Sequence, residues 1–304
     1  NYWLKHSSFK QVVQSAWNIP VGFTDQAKKI NAKLKNLRRA LKLWAKSISC
    51  MKKQIEDLNA RIFFWDLIEA FRNLSLFEAN YRIILMECLL IVLNNQKIYW
   101  KHRGKIKGVK FGDENTKFFH TKTSINHRHN KIAMLLNNDQ VKVTDHEGKA
   151  AILWEAFRDR LGESSGHTMH FDRHYLYGHT VDPQVFSQLE EKFTKEEIEE
   201  VVKNLPTYES PGPDGFNNEF IKACWDTIKG DMCQAFDKLY AMNGCGFQKL
   251  NQALITLLPK RPDADSLADY RLISLIHLLV KLFAKVLSLR LAPKMGMLVS
   301  SNQS

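Results

Sequence analysis

Residues 30–65, INAKLKNLRRALKLWAKSISCMKKQIEDLNARIFFW, decide the fold of this chain. Apolar residues recur here at alternating intervals of four and three, a seam typical of a long helix that packs along a partner helix. A capping box from Ser75 to Glu78 predicts a second helix that runs to about Trp100. We therefore predict an αα-hairpin with a continuous first helix, and a homodimeric coiled coil is the alternative. The seam comprises Ile30, Leu34, Leu37, Leu41, Trp44, Ile48, Met51, Ile55, Leu58, Ile62 and Trp65.

Basic charge is concentrated in the first third of the 304-residue chain. The net charge is +12, and residues 1–110 alone carry 21 Lys and Arg against 7 acids. Between Lys28 and Lys53 there are ten Lys and Arg and no acid, so the exposed face of the first helix is predicted to be uniformly positive. Such a surface favours nucleic acid or an anionic membrane as the partner, and a solvated lysine-rich helix is the alternative.

A second basic segment, 97–131, contains ten Lys and Arg against two acids, with aromatic residues interleaved. Proteins bind single-stranded nucleic acid with cationic side chains, which contact its phosphates, and with aromatic rings, which stack on its bases. An ordinary surface segment with a few core aromatics is the alternative. The candidate nucleic-acid-binding surface comprises Lys28, Lys29, Lys35, Arg38, Arg39, Lys42, Lys101, Arg103, Lys105, Lys107 and Lys117.

The rest of the chain alternates helices with short strands, which predicts a fold class that is mainly α with some β (α+β). Asp231 and Asp237 fall in a helical pattern, and we interpret both as solvated helix residues. The predicted elements are a hairpin over 132–136 and 140–143, helices over 150–161, 194–205, 218–240 and 277–291, and strands over 253–258 and 269–275.

Neither a disulfide framework nor a metal site is indicated. The five cysteines form no Cys-x-x-Cys pair, which favours a reducing compartment. Four histidines in 162–182 have no clear carboxylate or cysteine partner, so a solvated loop is favoured over a zinc site. The longest apolar run, 83–93, is broken by Glu87 and is too short for a membrane span, and no signal-peptide pattern is present. We expect an intracellular protein, nuclear or cytoplasmic, that is not secreted and has no membrane partner.

Four sequence blocks follow one another along the chain. The first comprises 99–101 and 112–120 (GDENTKFFH), and the second is 210–216 (SPGPDGF). The third comprises 257–260 (LLPK) and 269–275 (DYRLISL), and the fourth is 299–304 (VSSNQS). Together they resemble the reverse transcriptase of plant non-LTR (LINE-type) retrotransposons. The resemblance covers nearly the whole chain, and it implies the post-endonuclease linker and the N-terminal fingers part of a right-hand polymerase, without palm and thumb.

The resemblance also implies a domain organisation. The expected segments are a remnant following an endonuclease domain (1–25), a basic helical hairpin (26–103), a linker segment with a hairpin and a helix (104–161), a flexible His-rich loop (162–192) and a truncated reverse transcriptase domain (193–304).

Residue roles follow from the same resemblance. Arg271 is expected at the incoming triphosphate, where a planar, permanently charged guanidinium pairs well with phosphate oxygens. The loop residues Pro211, Gly212, Asp214 and Gly215 are expected near the template, and Lys260 near a backbone phosphate. The implied partners are RNA and DNA, as template and primer.

In the resembled family, palm aspartates that lie beyond the SNQ segment hold magnesium. Because phosphoryl transfer needs such carboxylates, we expect the chain alone to bind template without catalysis and to hold no cofactor or metal itself. A non-catalytic nucleic-acid-binding protein or a coiled-coil scaffold is the alternative. We also expect uncovered apolar surface around Leu254 to Leu258 and on the final helix, with self-association through that surface or through the heptad seam.

Overall fold

The structure, a computed structural model, describes residues 2–48, 50–104, 116–162, 187, 189–241 and 247–298. They are mainly helical with two small antiparallel sheets, which confirms the predicted fold class. The helices are α1 (Phe9–Trp17), α2 (Gln26–Ser47), α3 (Met51–Phe71), α4 (Leu76–Gly104), α5 (Thr116–His129), α6 (His146–Leu161), α7 (Lys195–Asn204), α8 (Asn218–Tyr240), α9 (Leu278–Leu291) and α10 (Met295–Leu298). The strands are β1 (Leu135–Leu136), β2 (Lys142–Val143), β3 (Ala253–Pro259) and β4 (Tyr270–Ile276).

The chain forms two compact units. The first comprises Asn1–Asn126, Pro206–Ser210 and Asp214–Met232, and the second comprises His127–Leu205, Pro211–Pro213 and Cys233–Ser304. The SPGPDGF loop therefore contributes residues to both units.

Helix α2 buries the first part of the apolar seam within the first unit. The helix begins after Asp25, whose carboxylate accepts the Lys28 backbone N–H at 2.8 Å. Helix α1 packs against α2. Full burial of one Leu or Ile side chain contributes about 1.5–3 kcal/mol, so the seam fixes the rotation of α2 about its axis. Its buried members, none more than 6% exposed, are Ile30, Leu34, Leu37 and Leu41.

The predicted continuous helix over 30–65 is wrong. Helix α2 ends at Ser47, Ile48 has extended backbone angles (φ −76°, ψ 121°), and α3 begins only after Cys50. The Ser47 hydroxyl donates to the Trp44 carbonyl at 2.7 Å, a local bond that competes with helix continuation. Ser, β-branched Ile and Cys also have low helix propensity. The heptad pattern therefore spans two helices.

Helices α3 and α4 pack against each other, so a hairpin forms as predicted, but its first helix is α3 and not the whole of the predicted helix over 30–65. The Ser75 backbone N–H donates to Glu78 Oε2 at 2.8 Å, and the Glu78 N–H donates to Ser75 Oγ at 3.4 Å, which is the predicted capping box. Arg82 of α4 pairs with Asp66 and Glu69 of α3 at 2.6 and 2.8 Å. No residue of α3 is buried, although all of that helix is described.

In the second unit, capping residues set the helix starts. Helix α6 begins at His146, earlier than predicted, because Asp145 accepts the Gly148 N–H at 2.6 Å. Helix α7 begins after Thr194, which accepts the Glu197 N–H at 3.1 Å as predicted. Strands β1 and β2 pair antiparallel, which confirms the predicted hairpin in a shorter form.

An arginine holds helices α7 and α9 together, and three phenylalanines join the segment before α7 to α8 and α9. Arg290 of α9 binds both carboxylate oxygens of Glu197 of α7 at 2.6 and 2.7 Å, and its guanidinium lies 4.3 Å from the Phe193 ring centroid. Phe193, Phe236 and Phe283 contact one another with centroids 5.3–5.4 Å apart. A bidentate ion pair over an aromatic ring is a strong anchor.

Strands β3 and β4 form a ribbon in which Leu258 faces Arg271 and Leu254 faces Leu275. Leu254 is 52% and Ile255 is 41% exposed, and Leu289 of α9 is 45% exposed. The expected uncovered apolar surface is therefore confirmed on both elements, while Leu257 and Leu258 are half-buried.

Candidate nucleic-acid interface

The outward side of α2 is a row of cations. Its buried seam faces the first unit, and the helix contains no Asp or Glu. Every charge on its exposed surface is therefore positive. The exposed members of the predicted set on this helix are Lys28, Lys35, Arg38, Arg39 and Lys42, and we call them the α2 basic face.

Asp231 of α8 anchors the inner edge of α2. Lys29 Nζ lies 3.0 Å from Asp231 Oδ1, and Lys33 Nζ lies 2.6 Å from Oδ2. Trp17 Nε1 donates to the same Oδ2 at 2.9 Å, and Gln26 Nε2 donates to the Asp231 carbonyl oxygen at 2.9 Å. One carboxylate thus ties α1 and α2 to α8 and partners the cations that point inward.

The interpretation of Asp231 as a solvated residue is wrong, because its side chain is only 11% exposed. Burial opposes its ionisation, but the hydrogen bonds from Lys33 and Lys29 outweigh that effect and hold the pKa of Asp231 below its usual range. Asp237, six residues further along α8, is exposed as predicted. Lys29, a member of the predicted nucleic-acid-binding set, therefore pairs its charge with Asp231 within the first unit.

A glycine of the SPGPDGF loop lies against the α2 basic face. Gly215 has φ +83°, and a Cβ atom there would lie 3.4 Å from Arg38 Nε and 3.5 Å from Arg38 Cζ. Asp214 is 9% exposed, and its Oδ1 accepts the Phe216 N–H at 3.1 Å. The positive φ favours glycine at this position, and the Arg38 side chain lies within van der Waals distance of it. Two predicted features, the basic helix and the glycine loop, therefore meet in one unit.

The C-terminal end of α4 flanks the same loop. His102 Nε2 lies 3.9 Å from Glu219 Oε1, and its ring centroid lies 5.9 Å from that of Tyr208. Arg103 is exposed and lies over the Tyr99 ring at 5.1 Å, while Lys101 is half-buried. Cations of both predicted basic segments therefore lie on helices that contact residues 208–219.

The aromatic residues of the second basic segment divide between core and surface. Phe119 is 2% exposed, whereas its neighbour Phe118 is 50% exposed. Trp100 contacts His120 with ring centroids 3.4 Å apart. Lys105, Lys107 and Phe111 lie outside the described residues, as does the side chain of Lys117. Of the described Phe, Tyr and Trp residues of this segment, Phe118 has the largest exposed fraction.

Tyr208 has a backbone conformation that the sequence did not reveal. Its φ is +66°, rare for a bulky residue, and its N–H donates to Glu219 Oε1 at 2.7 Å. A conformation of this kind costs about 1–3 kcal/mol and persists where surrounding contacts hold it. Asn218 adds such contacts, because its side-chain amide donates to the Pro206 carbonyl at 2.9 Å and to Glu209 at 3.1 Å.

The sequence did contain a signal that Asp231 lies on the buried side of its helix. Asp231 follows Ile228 by three residues and Cys224 by seven, and both are at most 4% exposed. Helical spacing therefore placed this carboxylate on the buried side of α8. An acid on a buried stripe is expected to have a cationic partner, here supplied by α2.

The second unit holds the other predicted site residues. Gly212 is buried, and a Cβ atom there would overlap the Ile276 carbonyl oxygen, while Pro211 is exposed. Lys260 Nζ donates to the Ala268 carbonyl at 2.7 Å, and its backbone N–H donates to the Asp269 carbonyl at 2.8 Å. Arg271 is exposed, and its side chain makes no hydrogen bond or ion pair within the part of the chain that the structure describes.

Within the described ranges, no three histidine, cysteine or carboxylate side chains converge where a metal ion could be held. The four histidines of 162–182 lie outside the described residues. Cys224 is buried, which raises the pKa of its thiol to about 12, so it is not a thiolate at neutral pH. No described helix is apolar over a long enough stretch to cross a bilayer.

Comparison with known proteins yields a partial match. No protein-family profile matches the chain. A stretch of 121 residues, 38% of the chain, is 31% identical to the "Transposon TX1 uncharacterized 149 kDa protein" of Xenopus laevis, and the match covers 9% of that protein's length. The chain is thus retrotransposon-related in sequence.

Proposed function

We propose that this chain is the nucleic-acid-holding part of a retrotransposon reverse transcriptase and that it binds the phosphate backbone along the α2 basic face. The observation that carries the proposal is the one-sidedness of charge on α2. The helix has a buried apolar seam on one side, and every charged residue on its exposed side is a cation, with Leu43 exposed beside them. The four resembling sequence blocks and the transposon relative support the same assignment.

The spacing of these cations suits a nucleic-acid strand. Lys28 and Lys42 are fourteen residues apart, which corresponds to about 21 Å along a helix. A duplex strand places a phosphate about every 3.4 Å of its axis, so the α2 basic face runs beside roughly six phosphates. The Asp231 anchor supports this use, because it holds α2 through the inward cations Lys29 and Lys33, which are not members of the α2 basic face.

The proposal includes polymerase roles for residues of the second unit and of the loop. Arg271 is proposed to contact the incoming triphosphate, and its exposed guanidinium suits that role. Pro211, Gly212, Asp214 and Gly215 are proposed to lie near the template. For Lys260, the bond to the Ala268 carbonyl leaves two ammonium hydrogens to donate to a phosphate.

The test is a salt titration of binding to fluorescently labelled RNA of about 20 nucleotides, single-stranded and duplex. We expect the triple variant Lys35→Gln, Arg39→Gln, Lys42→Gln to weaken binding on the order of tenfold or more at low salt. We also expect the slope of log affinity against log salt to fall by about 2 on single strands, since each lost phosphate contact removes about 0.7.

The matched control is Lys195→Gln, Lys203→Gln, Lys238→Gln, which removes three exposed cations from the second unit. This control should bind RNA with nearly the affinity and salt slope of the unmodified chain. Arg271→Ala should also leave affinity for RNA nearly unchanged, because its proposed contact is with a triphosphate. The proposal fails if the unmodified chain does not bind at low salt, or if both triple variants weaken binding equally.

A further inference from the structure

Helix α4 carries an inner apolar seam, which packs against α3, and two exposed ones, of which one comprises Ile83, Met86, Leu90 and Leu93. The inner seam, which includes Leu85, Leu89 and Val92, is buried or half-buried against α3. The residue immediately before each of these three positions is exposed. These exposed residues belong to the second exposed seam, which has the same alternating spacing of four and three. That exposed seam consists of Phe77, Tyr81, Ile84, Cys88 and Ile91.

Aromatic residues of α3 continue this exposed surface. The rings of Phe64 and Trp65 lie 5.5 Å apart, and those of Trp65 and Tyr81 lie 6.0 Å apart, so the aromatic contacts run from α3 to α4. Phe64 is 56% exposed, and Phe71, at the end of α3, is 89% exposed. We define the outer face of the hairpin as Phe64, Phe71, Phe77, Tyr81, Ile84 and Ile91.

We propose that the outer face docks a second copy of this chain, so that two hairpins form a four-helix bundle. A seam with a period of 3.5 residues fits another helix lying nearly parallel or antiparallel to α4. A two-fold dimer needs a self-complementary patch, and an apolar surface formed by two antiparallel helices meets that need. A helix that is apolar on several sides is expected to be covered on those sides, and here α3 covers one.

The exposed area matches what a stable dimer needs. Burying one aromatic side chain removes about 150–250 Å² from water, so Phe64, Phe71 and Phe77 together offer about 350–550 Å² at their present exposures. With the three other members, the outer face approaches the roughly 800 Å² per partner of a standard interface. This area lies at or above the upper end of the apolar patches of about 300–600 Å² usual on monomers.

Charge favours a second copy over an anionic membrane. Between residues 62 and 96 there are four acids and two arginines. Both arginines are paired with acids of the hairpin: Arg72 with Glu78, and Arg82 with Asp66 and Glu69. Helices that lie on anionic membranes surround their apolar side with unpaired Lys and Arg, and this part of the hairpin lacks them. It also differs from the α2 basic face, so the two surfaces have separate roles.

The test is sedimentation equilibrium of the nucleic-acid-free chain at high salt and micromolar concentration. We expect a mass near twice 35.3 kDa for the unmodified chain. The double variant Phe77→Ser, Ile84→Ser should raise the dimer dissociation constant at least tenfold. Because both side chains are more than half exposed, this variant should keep the circular dichroism spectrum of the unmodified chain at the same dilute concentration.

The matched control is Trp154→Ser, Leu254→Ser, which removes two exposed apolar side chains of the second unit and should remain dimeric. A monomeric unmodified chain overturns the proposal. So does a dimer that survives the outer-face substitutions but is lost in the control. Flotation of a monomeric chain with vesicles of anionic phospholipid would show that a membrane occupies the outer face instead. The triple variant of the α2 basic face should still dimerise, so this inference and the proposed function fail independently.

Discussion

Helices α2 and α3 carry the two halves of one apolar seam, yet they bury it to very different depths. In α2 the seam residues from Ile30 to Leu41 are at most 6% exposed, whereas no residue of α3 is buried. Helix α2 has α1 on its apolar side and the Asp231 anchor on its flank, while the described contacts of α3 are mainly with α4. Periodicity therefore identifies which residues share a face, and neighbouring elements determine how completely that face is covered.

The largest expected effect tests this difference in depth directly. Leu37→Ala in α2 should lower the free energy of unfolding by about 2–5 kcal/mol, because it leaves a cavity in a fully buried site. Ile62→Ala in α3 removes a similar side chain from a half-buried position and should cost about 1–2 kcal/mol. Urea denaturation of both variants, at concentrations below those of self-association, provides the comparison.

Equal losses in the free energy of unfolding for Leu37→Ala and Ile62→Ala would contradict the difference in burial between α2 and α3. That outcome would mean that the α3 seam is as well covered as the α2 seam. The concentration matters because docking of a second copy would add burial to the hairpin, and the Ile62→Ala cost would then rise with protein concentration.

The next effect concerns the charged anchor, which α2 has and for which α3 has no buried counterpart. Asp231→Asn keeps the side-chain shape but removes the charge that Lys29 and Lys33 face, so we expect a loss of about 2–3 kcal/mol in the free energy of unfolding. Asp237→Asn is the matched control on the same helix, and its exposed site should change stability by no more than about 0.5 kcal/mol.

The anchor also has a pH signature. The pKa of Asp231 is lower in the folded chain than in the unfolded chain, where it is near 3.9. Its contribution is therefore fully present above the unfolded pKa and is lost as the pH falls through the lower folded value. Asp231→Asn should flatten that part of the acid unfolding curve, and an unchanged acid limb would show that the carboxylate does not act as the anchor.

Much of the fold could be predicted from local patterns. The helix over 218–240, the capping boxes at Ser75 and Thr194 and the strands of the β3–β4 ribbon are confirmed because short-range spacing and cap chemistry specify them. The break between α2 and α3 escaped prediction because the seam keeps its spacing across it. Only the weak helix propensity around Ser47 and Ile48 signalled the end of α2.

The candidate site was less predictable than the fold. The cations of α2 are evident from composition, but the contact of Arg38 with Gly215 joins segments about 180 residues apart in sequence. The positive φ of Tyr208 depends on a bond to Glu219 that local sequence does not encode. Contacts of this kind arise from tertiary packing, and pattern reasoning on one sequence does not reach them.

The smallest expected effect lies in the less covered half of the molecule. Ser75→Ala removes the hydroxyl that accepts the Glu78 N–H at the start of α4 and should cost about 1 kcal/mol. Because the α3–α4 hairpin is less buried than α2, we expect it to open locally at a lower free energy than global unfolding. Hydrogen exchange should therefore speed up at α4 amides in this variant and stay unchanged at α2 amides.

Lowering the pH should also speed hydrogen exchange at α4 amides, because it protonates Glu78. The hydrogen bond from Arg72, followed by those from the backbone and hydroxyl of Ser75, lowers the pKa of Glu78 to about 2. This contribution is present above the unfolded pKa of about 4.3 and is lost as the pH falls toward 2. Glu78→Gln should remove the acid-induced rise in α4 exchange. A rise that is equal at α2 and α4 would show that the two helices unfold together, so that their difference in burial does not separate their stabilities.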